Sequence, residues 1–280
     1  MDIKLIASDL DGTLMATDHV TVTERTKKAL KAAQEKGAKI AICTGRALAV
    51  TESVKKQIPF IDYVIFSNGS GVYDCKTDKI IYEATIDEMR ASRLISFFDK
   101  HKAYYNVYHK GNMYVRSDAD DSRFYKTGVS SVFIDELKSK MNTVDNMQEK
   151  FKGKTAEVII TYFISQQTRA QLIELIESLG ELEYVSSIMD NIEIVSAHSG
   201  KGAAIAALCK ELGCTSENAM TFGDASNDCS MLEFAKYSFA MANGDEKCKA
   251  SAKYSAPSNA EDGVAQIIEM LNAGCSIHNS

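Results

Sequence analysis

Short apolar runs that alternate with helix-like segments near the start of the chain restrict the fold more than any other feature of this sequence. Residues 3–8 form a nearly continuous apolar run, which is typical of a parallel strand buried on both faces. Similar runs follow at 38–43 and 63–67. Between the first two runs, a Thr21-x-x-Glu24 capping box predicts the start of a helix that Gly37 ends. This order predicts a doubly wound α/β fold with a parallel, Rossmann-like sheet.

The middle of the chain has a different pattern, in which strands pair as hairpins. Strand-like residues 104–109 and 113–116 are separated by a Lys-Gly-Asn turn, and residues 183–188 and 192–195 have similar spacing. Helices are predicted beside these hairpins, and the combination indicates an inserted α+β unit. After Ser199 the α/β pattern returns.

This change of pattern divides the chain into two predicted domains. A discontinuous core domain is predicted over residues 1–82 and 196–280, and the inserted domain over residues 83–195. The 280 residues suffice for two domains that each bury a core of their own.

The composition argues against several classes of protein. With 45% hydrophobic and 25% charged residues the chain resembles an ordinary globular protein. No apolar stretch approaches the roughly 20 residues that a membrane-spanning helix needs. A net charge of −6 argues against nucleic acid or an anionic membrane as the main partner. No secretory signal is visible and the seven cysteines contain no C-x-x-C pair, so we expect a cytoplasmic protein with reduced thiols.

Polar residues end several of the predicted strands and begin the loops that follow. Asp9, Thr44, Asn68 and Asp224 all occupy such positions. In a doubly wound sheet the carboxyl ends of the central strands converge on one crevice, where ligands bind. The sequence therefore predicts that these four residues meet at one site.

Two carboxylates follow the first strand, and together they are suited to phosphoryl transfer. The Asp9 carboxylate can attack phosphorus and form an aspartyl-phosphate that water later hydrolyses. Asp11 is placed to protonate the leaving oxygen and then to deprotonate the water. The alternative interpretation is an Asp-Gly turn with exposed charge.

A second acidic turn, from Gly223 to Asp228, follows a later strand. Mg²⁺ prefers oxygen ligands, typically one or two carboxylates with waters and phosphate oxygens. Asp9 and Asp224, with a backbone carbonyl near Asp11, would suit this ion, and Asp228 could orient those ligands from behind. The alternative is a polar turn that caps the helix after it.

Two further segments have the chemistry for binding phosphate. Thr44 and Gly45 offer a hydroxyl and a backbone N–H near a helix start. Lys201, between two glycines at another helix start, offers a positive charge. Either segment alone is weak evidence, because most threonines at strand ends and most surface lysines have no chemical role.

Taken in order, these segments resemble the motifs of the haloacid dehalogenase (HAD) superfamily, specifically the Cof-type phosphatases with a C2-type cap. The resemblance covers essentially the whole chain. The matching segments are Asp9-Leu10-Asp11-Gly12-Thr13-Leu14, Thr44-Gly45-Arg46 with Ser67-Asn68-Gly69, Gly200-Lys201-Gly202, Gly223-Asp224-x-x-Asn227-Asp228, and, near the end, Met241-Ala242-Asn243-Gly244 and Glu261-Asp262-Gly263-Val264. One departure is the order Ala242-Asn243-Gly244, because the commoner family order places glycine before the asparagine and alanine after it.

The resemblance implies a Mg²⁺-dependent phosphatase that acts on small phosphorylated metabolites such as sugar phosphates. It implies that Asp9 is the nucleophile and Asp11 the general acid and base. It further implies a set of binding residues: Thr44, Gly45, Lys201 and Asn227 for phosphate, and Asp9, the Asp11 carbonyl and Asp224, supported by Asp228, for the metal. The residues between 83 and 195 are then a substrate-specificity cap.

Two other functions stay open at this stage. A phosphomutase would share these motifs and pass the phosphoryl group to a sugar hydroxyl. A non-catalytic phosphometabolite-binding protein would keep the fold, but the presence of Asp9, Asp11, Lys201 and Asp224 argues against it. The sequence leaves the physiological substrate and the oligomeric state undetermined.

Some residues with reactive side chains are not assigned to the site. Arg46 is equally compatible with a phosphate contact and with a place on a helix surface. His19 and His198 are interpreted as solvated or structural residues. His109 could line a substrate pocket in the inserted domain, but a packing or surface role is the favoured interpretation. Cys43 is interpreted as a buried strand residue.

Overall fold

The computed structural model describes residues 2–126, 131–185 and 191–273, and the chain divides into two compact units. The first comprises Met1–Arg46, Thr51–Tyr82 and Gly200–Ser280, and the second comprises Ala47–Val50 and Glu83–Ser199. Residues 47–50 and 196–199 thus group with the second unit, whereas the division drawn from sequence places them in the core domain. The roles of catalytic core and specificity cap stay predictions.

The described parts of the chain contain strands and helices that we number in chain order. The strands are β1 (Leu5–Ser8), β2 (Lys39–Cys43), β3 (Tyr63–Phe66), β4 (Gly71–Asp74), β5 (Lys79–Glu83), β6 (Tyr104–His109), β7 (Asn112–Arg116), β8 (Met141–Val144), β9 (Val158–Tyr162), β10 (Leu182–Val185), β11 (Ile192–Ser196), β12 (Ala219–Gly223), β13 (Tyr237–Met241) and β14 (Tyr254–Ala256). The α-helices are α1 (Glu24–Glu35), α2 (Glu52–Gln57), α3 (Glu88–Lys100), α4 (Ser131–Ser139), α5 (Met147–Lys150), α6 (Gln166–Leu179), α7 (Lys201–Glu211), α8 (Cys229–Phe234), α9 (Glu246–Ser251) and α10 (Gly263–Asn272).

The sheet of the first unit has the strand order β14-β13-β12-β1-β2-β3-β4-β5. All neighbours from β14 to β3 are parallel, and β4 pairs with β3 in the antiparallel direction. The chain runs outward from β1 to one side through β2 and β3, and to the other side through β12, β13 and β14. The strand order therefore reverses at β1, and the predicted doubly wound parallel sheet is confirmed.

The first unit is held together by strands that are apolar on both faces. β1 is buried at all four positions, as expected for a central strand between two layers of helices. Leu5 and Ala7 pack in one core cluster with Ile205 and Leu208 of α7. The rings of Phe222 and Phe239 stack with their centres 5.1 Å apart.

The start of α1 differs from the predicted capping box. The helix begins at Glu24, and the residue that caps it is Thr23, whose hydroxyl accepts a hydrogen bond from the Thr26 N–H. Thr21 lies in the loop before the helix, where its carbonyl accepts from the Ala16 N–H. Threonine suits the N-cap at both positions, but only Thr21 has a glutamate three residues later, so the sequence favoured Thr21.

The second unit contains a separate sheet with the order β10-β11-β9-β6-β7-β8. β6 pairs antiparallel with β7, and β10 with β11, so both predicted hairpins are confirmed. Residues 186–188, predicted as part of the second hairpin, lie outside the described residues. Lys110 and Gly111 both have positive φ in the first hairpin turn, as a tight two-residue turn requires.

One face of this second sheet is covered by helices. Phe98 of α3 stacks on Tyr105 of β6 with ring centres 5.0 Å apart, and Leu172 and Ile176 of α6 join the same cluster. Tyr104 and Tyr108 belong to a different cluster, because neighbouring positions of a strand alternate between faces.

Two properties of the whole chain complete the description. None of the helices within 2–126, 131–185 and 191–273 combines the length and apolarity needed to span a membrane. Six of the seven cysteines are free thiols, and Cys275 lies outside the described residues.

Candidate active site

The predicted site residues of the first unit follow neighbouring strands at one edge of the sheet. β1 lies between β2 and β12, with Ser8 paired to Ile42 on one side and to Phe222 on the other. Asp9, Thr44 and Asp224 each come directly after one of these three strands. Since parallel strands end at the same edge of a sheet, the fold brings the three residues together at that edge.

A tight turn after β1 positions Asp9. Its backbone N–H donates to the Phe222 carbonyl over 3.0 Å, and its carbonyl accepts from the Leu14 N–H over 3.2 Å. Gly12 makes this turn possible, because it has a φ of 82° and a Cβ at this position would overlap the Asp224 carboxylate. Glycine at position 12 therefore allows this turn without strain and leaves room for the Asp224 carboxylate beside it.

The second acidic turn is organised by Asp228. Its Oδ2 atom accepts from the backbone N–H groups of Asp224 and Ala225 over 2.9 and 3.0 Å. The Asp224 Oδ1 atom accepts from the Thr13 hydroxyl over 2.8 Å. Asp228 thus fixes the backbone of the turn, and Thr13 fixes the Asp224 carboxylate.

Lys201 is the buried cation of the site. Its Nζ lies 2.6 Å from the Asp9 Oδ1 atom and 2.6 Å from the Asp228 Oδ1 atom. The Lys201 and Asp228 side chains are completely buried, and only 9% of the Asp9 side chain is exposed. Gly69 allows this arrangement, because a Cβ there would overlap the Gly200 backbone that leads into Lys201.

The charges of the site perturb one another. Burial raises the pKa of Asp9 well above its ordinary value, an effect that nearby Lys201 opposes and Asp228 reinforces. Burial also raises the pKa of Asp224, to about 6, although the Thr13 hydroxyl lowers it. Burial by itself would lower the pKa of Lys201, but the charges of Asp228 and Asp9 outweigh it, and the pKa is raised.

These residues fit a divalent cation. Oxygen atoms of Asp9, Asp224 and Asp228 lie within 4.8 Å of one another. Three carboxylates and one lysine give a net charge of −2 when all are ionised, which a divalent cation would balance. Carboxylate oxygens are the ligands that Mg²⁺ and similar hard cations prefer. Asp228 already accepts from Lys201 and from the backbone, so Asp9 and Asp224 are better placed as direct ligands.

Thr44 is buried at the end of β2, beside the loop that follows β3. Its N–H donates to the Ile65 carbonyl, and its hydroxyl accepts from the Arg46 N–H over 3.1 Å. The Asn68 Oδ1 atom accepts from the Asn227 amide over 3.0 Å. Gly45 lies against Asn68, since a Cβ on Gly45 would come 3.0 Å from that oxygen. Of the four residues predicted to bind phosphate, Lys201 and Thr44 are buried. The other two, Gly45 and Asn227, both contact Asn68.

The Asp11 side chain pairs with Arg46. Nε and Nη2 of Arg46 lie 2.9 and 2.6 Å from the two carboxylate oxygens of Asp11. Asp11 remains 41% exposed, whereas Arg46 is 14% exposed. The sequence predicted either a phosphate contact or a helix-surface position for Arg46, and it did not predict the pair with Asp11.

Sequence reasoning also missed two other contacts. Thr13 was noticed only as part of a motif, yet it holds Asp224. The Asn243 amide donates to the Gly12 carbonyl over 2.8 Å, and its Oδ1 atom accepts from the Asn259 N–H. The available signal was the Met241-Ala242-Asn243-Gly244 segment, which resembled the family without indicating a partner.

The unusual order of this segment has a structural reason. Gly244 lies where a Cβ would come 2.9 Å from the Asp224 carbonyl and 3.0 Å from that of Met241. The Gly244 N–H closes the turn on Met241 over 2.8 Å. Glycine is therefore needed after Asn243, and Ala242 fits before it.

Comparisons with known proteins agree with this architecture. A sequence model of the haloacid dehalogenase-like hydrolases matches residues 6–268. The chain is 30% identical to the 5-amino-6-(5-phospho-D-ribitylamino)uracil phosphatase YcsE of Bacillus subtilis (strain 168), over 96% of this chain and 95% of that protein. It is 29% identical to the phosphatase YwpJ of the same organism, over 96% of this chain and 100% of that protein.

Solved structures give the same result. A haloacid dehalogenase-like hydrolase from B. subtilis has a TM-score of 0.78 at 28% identity, and the match covers 96% of this chain and 100% of the other. The subclass IIB sugar phosphatase BT4131 has a TM-score of 0.78 at 26% identity, with 96% and 99% covered. YcsE, YwpJ and BT4131 are all named as phosphatases, so the comparisons favour hydrolysis over the phosphomutase alternative. The chain belongs to the haloacid dehalogenase-like hydrolases and is a phosphatase of the Cof type.

Proposed function

We propose that the protein is a Mg²⁺-dependent phosphatase that hydrolyses small phosphorylated metabolites through an aspartyl-phosphate on Asp9. The observation that carries the proposal is the group formed by buried Asp9, Lys201 and Asp228 together with half-buried Asp224. Holding three carboxylates beside one lysine, largely out of water, costs free energy unless a ligand compensates for it. A divalent cation together with a phosphate dianion is a ligand of that kind.

In the first step the Asp9 carboxylate attacks phosphorus. A bond forms between an Asp9 oxygen and phosphorus while the bond from phosphorus to the ester oxygen breaks. The leaving oxygen takes a proton from the Asp11 carboxyl group. The products are aspartyl-phosphate, ionised Asp11 and a free alcohol.

In the second step the aspartyl-phosphate is hydrolysed. Asp11 takes a proton from a water molecule, whose oxygen attacks phosphorus as the bond to the Asp9 oxygen breaks. Inorganic phosphate leaves, and both carboxyl groups return to their starting states. One residue can serve both steps because the second proton transfer reverses the first.

Phosphate binding is assigned to Thr44, Gly45, Lys201 and Asn227. The Lys201 ammonium, held beside Asp9, would place positive charge next to the transferring phosphoryl group. Asp9, the Asp11 carbonyl and Asp224 would hold Mg²⁺, which reduces the repulsion between an anionic nucleophile and an anionic phosphate. Asp228 supports Asp224 and Lys201 through its hydrogen bonds.

The substrate class is proposed from the relatives. YcsE is named for a phosphorylated ribitylamino compound, and BT4131 is described as a sugar phosphatase. Phosphate esters of sugars and of sugar-like polyols are therefore the first compounds to test. A panel ranked by kcat/KM, including 5-amino-6-(5-phospho-D-ribitylamino)uracil, would identify the preferred substrate.

The test of the proposal is Asp9→Asn, assayed with 4-nitrophenyl phosphate and Mg²⁺. We expect turnover to fall by about 1,000-fold or more, because the amide cannot act as the nucleophile. Asp74→Asn is the matched control, since Asp74 caps an exposed turn of the first unit and its replacement should leave turnover unchanged. Wild-type turnover in correctly folded Asp9→Asn would refute the proposal.

A further inference from the structure

The Asp11 carboxylate is held through both oxygens by one arginine. Arg46 donates from Nε to Oδ2 over 2.9 Å and from Nη2 to Oδ1 over 2.6 Å. His19 is the other basic neighbour, but its Nδ1 lies 3.6 Å from Oδ1, which is too long for a hydrogen bond. In the described parts of the chain, Arg46 is therefore the side chain that sets the direction of the Asp11 carboxylate.

Arg46 is itself fixed from the other side. Its Nη2 also donates to the His19 carbonyl over 3.2 Å and lies 3.6 Å from the Met15 sulfur. With 14% of its side chain exposed, Arg46 has little freedom to change rotamer. The guanidinium is thus held by contacts other than the one with Asp11.

The loop that supplies the His19 carbonyl is stabilised by its own hydrogen bonds. The Ala16 N–H donates to the Thr21 carbonyl over 2.8 Å, and the His19 N–H donates to the Ala16 carbonyl over 3.0 Å. Asp18 accepts from the N–H groups of Val20 and Thr21. His19 has a φ of 56°, which turns its carbonyl within this loop. The His19 carbonyl that accepts from Arg46 is therefore held in place by the hydrogen bonds of its own loop.

A bidentate arginine leaves the carboxylate usable for proton transfer. Each carboxylate oxygen has about two lone-pair positions, and the two N–H groups donated by the Arg46 guanidinium occupy one position on each oxygen. The remaining positions are accessible, because Asp11 is 41% exposed. Arg46 therefore restricts the direction of Asp11 without blocking it.

We propose that Arg46 is a positioning residue for proton transfer, holding the Asp11 carboxyl group in the orientation from which it protonates the leaving oxygen. The inference rests on the proposed function, in which Asp11 is the general acid and base. Proton transfer depends steeply on orientation, so a rotated carboxyl group loses rate even when it keeps its chemistry. Arg46 acts through Asp11 and does not contact the reacting atoms in this role.

The alternative is that the ion pair only ties the β1 turn to the end of β2. The two roles differ in how the rate depends on the leaving group. A poor leaving group needs a proton from Asp11, whereas a good one departs with little help. Loss of a structural tie would slow both kinds of substrate by the same factor.

The experiment compares phenyl phosphate with 4-nitrophenyl phosphate, which have similar size but leaving oxygens of different basicity. In Arg46→Gln we expect kcat/KM for phenyl phosphate to fall about tenfold or more beyond the fall for 4-nitrophenyl phosphate. Arg46→Lys keeps the charge but lacks the fork, so it should show the same selective loss. Arg25→Gln removes a comparable pair on the surface, in which Nε and Nη2 of Arg25 donate to the two oxygens of Glu269, and should change neither rate.

The thermal midpoint of each variant shows whether it is folded. If Arg46→Gln fails to fold, Arg46→Lys carries the comparison. Equal losses for the two substrates, or no loss for either, would overturn the positioning role. The proposed function fails separately, because it depends on whether Asp9→Asn retains turnover.

Discussion

At the residue scale, Gly12 shows how one position without a side chain holds two acidic segments together. The same φ sign occurs at Gly37, which ends α1, but a Cβ at Gly37 would meet nothing within 4 Å. Alanine substitution at the two positions therefore separates two destabilising effects. At Gly37 it introduces only backbone strain, whereas at Gly12 it also introduces overlap with Asp224.

We predict that Gly37→Ala lowers the free energy of unfolding by about 1 kcal/mol, because alanine pays only for the positive φ. Gly12→Ala should cost more and should also reduce turnover, since its Cβ displaces the Asp224 carboxylate. Denaturant unfolding and a 4-nitrophenyl phosphate assay measure the two effects. Equal stability and full turnover in both variants would contradict this account.

The raised pKa of Asp224 predicts how stability depends on pH in metal-free protein. An acid with a folded pKa of about 6 and an ordinary value of 3.8 keeps its proton longer when folded. The free energy of unfolding therefore falls as pH rises from about 4 to 6, because in this range the unfolded chain has released the Asp224 proton and the folded chain still holds it.

Asp224→Asn should remove that loss. In the presence of a chelator we expect the variant to be more stable than wild type at pH 7, by on the order of 1–2 kcal/mol, and the difference to vanish near pH 4. Asparagine keeps an oxygen for the Thr13 hydroxyl, so that bond is preserved. A stability difference that does not change with pH would show that burial of the charge is not its cause.

The sequence predicted that polar residues at the ends of neighbouring strands lie near one another, but not how their side chains pair. Asp9, Thr44 and Asp224 could be placed because strand ends converge in any doubly wound sheet. The pairing of Asp11 with Arg46 could not, because it depends on rotamers and on a loop held by the His19 carbonyl. Thr13 was missed for the same reason, as its partner is distant in sequence.

At the scale of elements, apolar runs predicted the strands β1, β2 and β3 and the strands of both hairpins, whereas elements with weaker patterns were missed. β8 consists of Met141-Asn142-Thr143-Val144, which has little apolar pattern because it is an edge strand with no buried position. α9 was missed because it is short and buries only Cys248. Elements that bury little surface leave little trace in a sequence.

The corrected cap of α1 gives a prediction with a matched control. Thr23→Ala should lower the free energy of unfolding by about 1 kcal/mol, because the Thr26 N–H loses its acceptor. The Thr23 hydroxyl also donates to Asp262 over 2.7 Å, which adds to the cost. Thr21→Ala should cost clearly less, since Thr21 lies outside the helix. A larger loss in Thr21→Ala would restore the capping box read from the sequence.

At the scale of the whole molecule, a divalent ion should link folding to the site. An ion that binds only the folded state raises stability by about 2.7 kcal/mol at a hundredfold excess over its Kd. We predict that Mg²⁺ raises the thermal midpoint of wild type and has little effect on Asp224→Asn. An equal rise in both proteins would place the stabilising ion elsewhere.

The central claim is that Asp9 becomes covalently phosphorylated. The direct measurement mixes wild-type protein, Mg²⁺ and a good substrate, quenches in acid within one turnover, and maps phosphate on the peptides by mass spectrometry. The account predicts one phosphoryl group on the peptide that contains Asp9, and none in Asp9→Asn. Active enzyme whose phosphate never appears on Asp9, or appears on another residue, would contradict it.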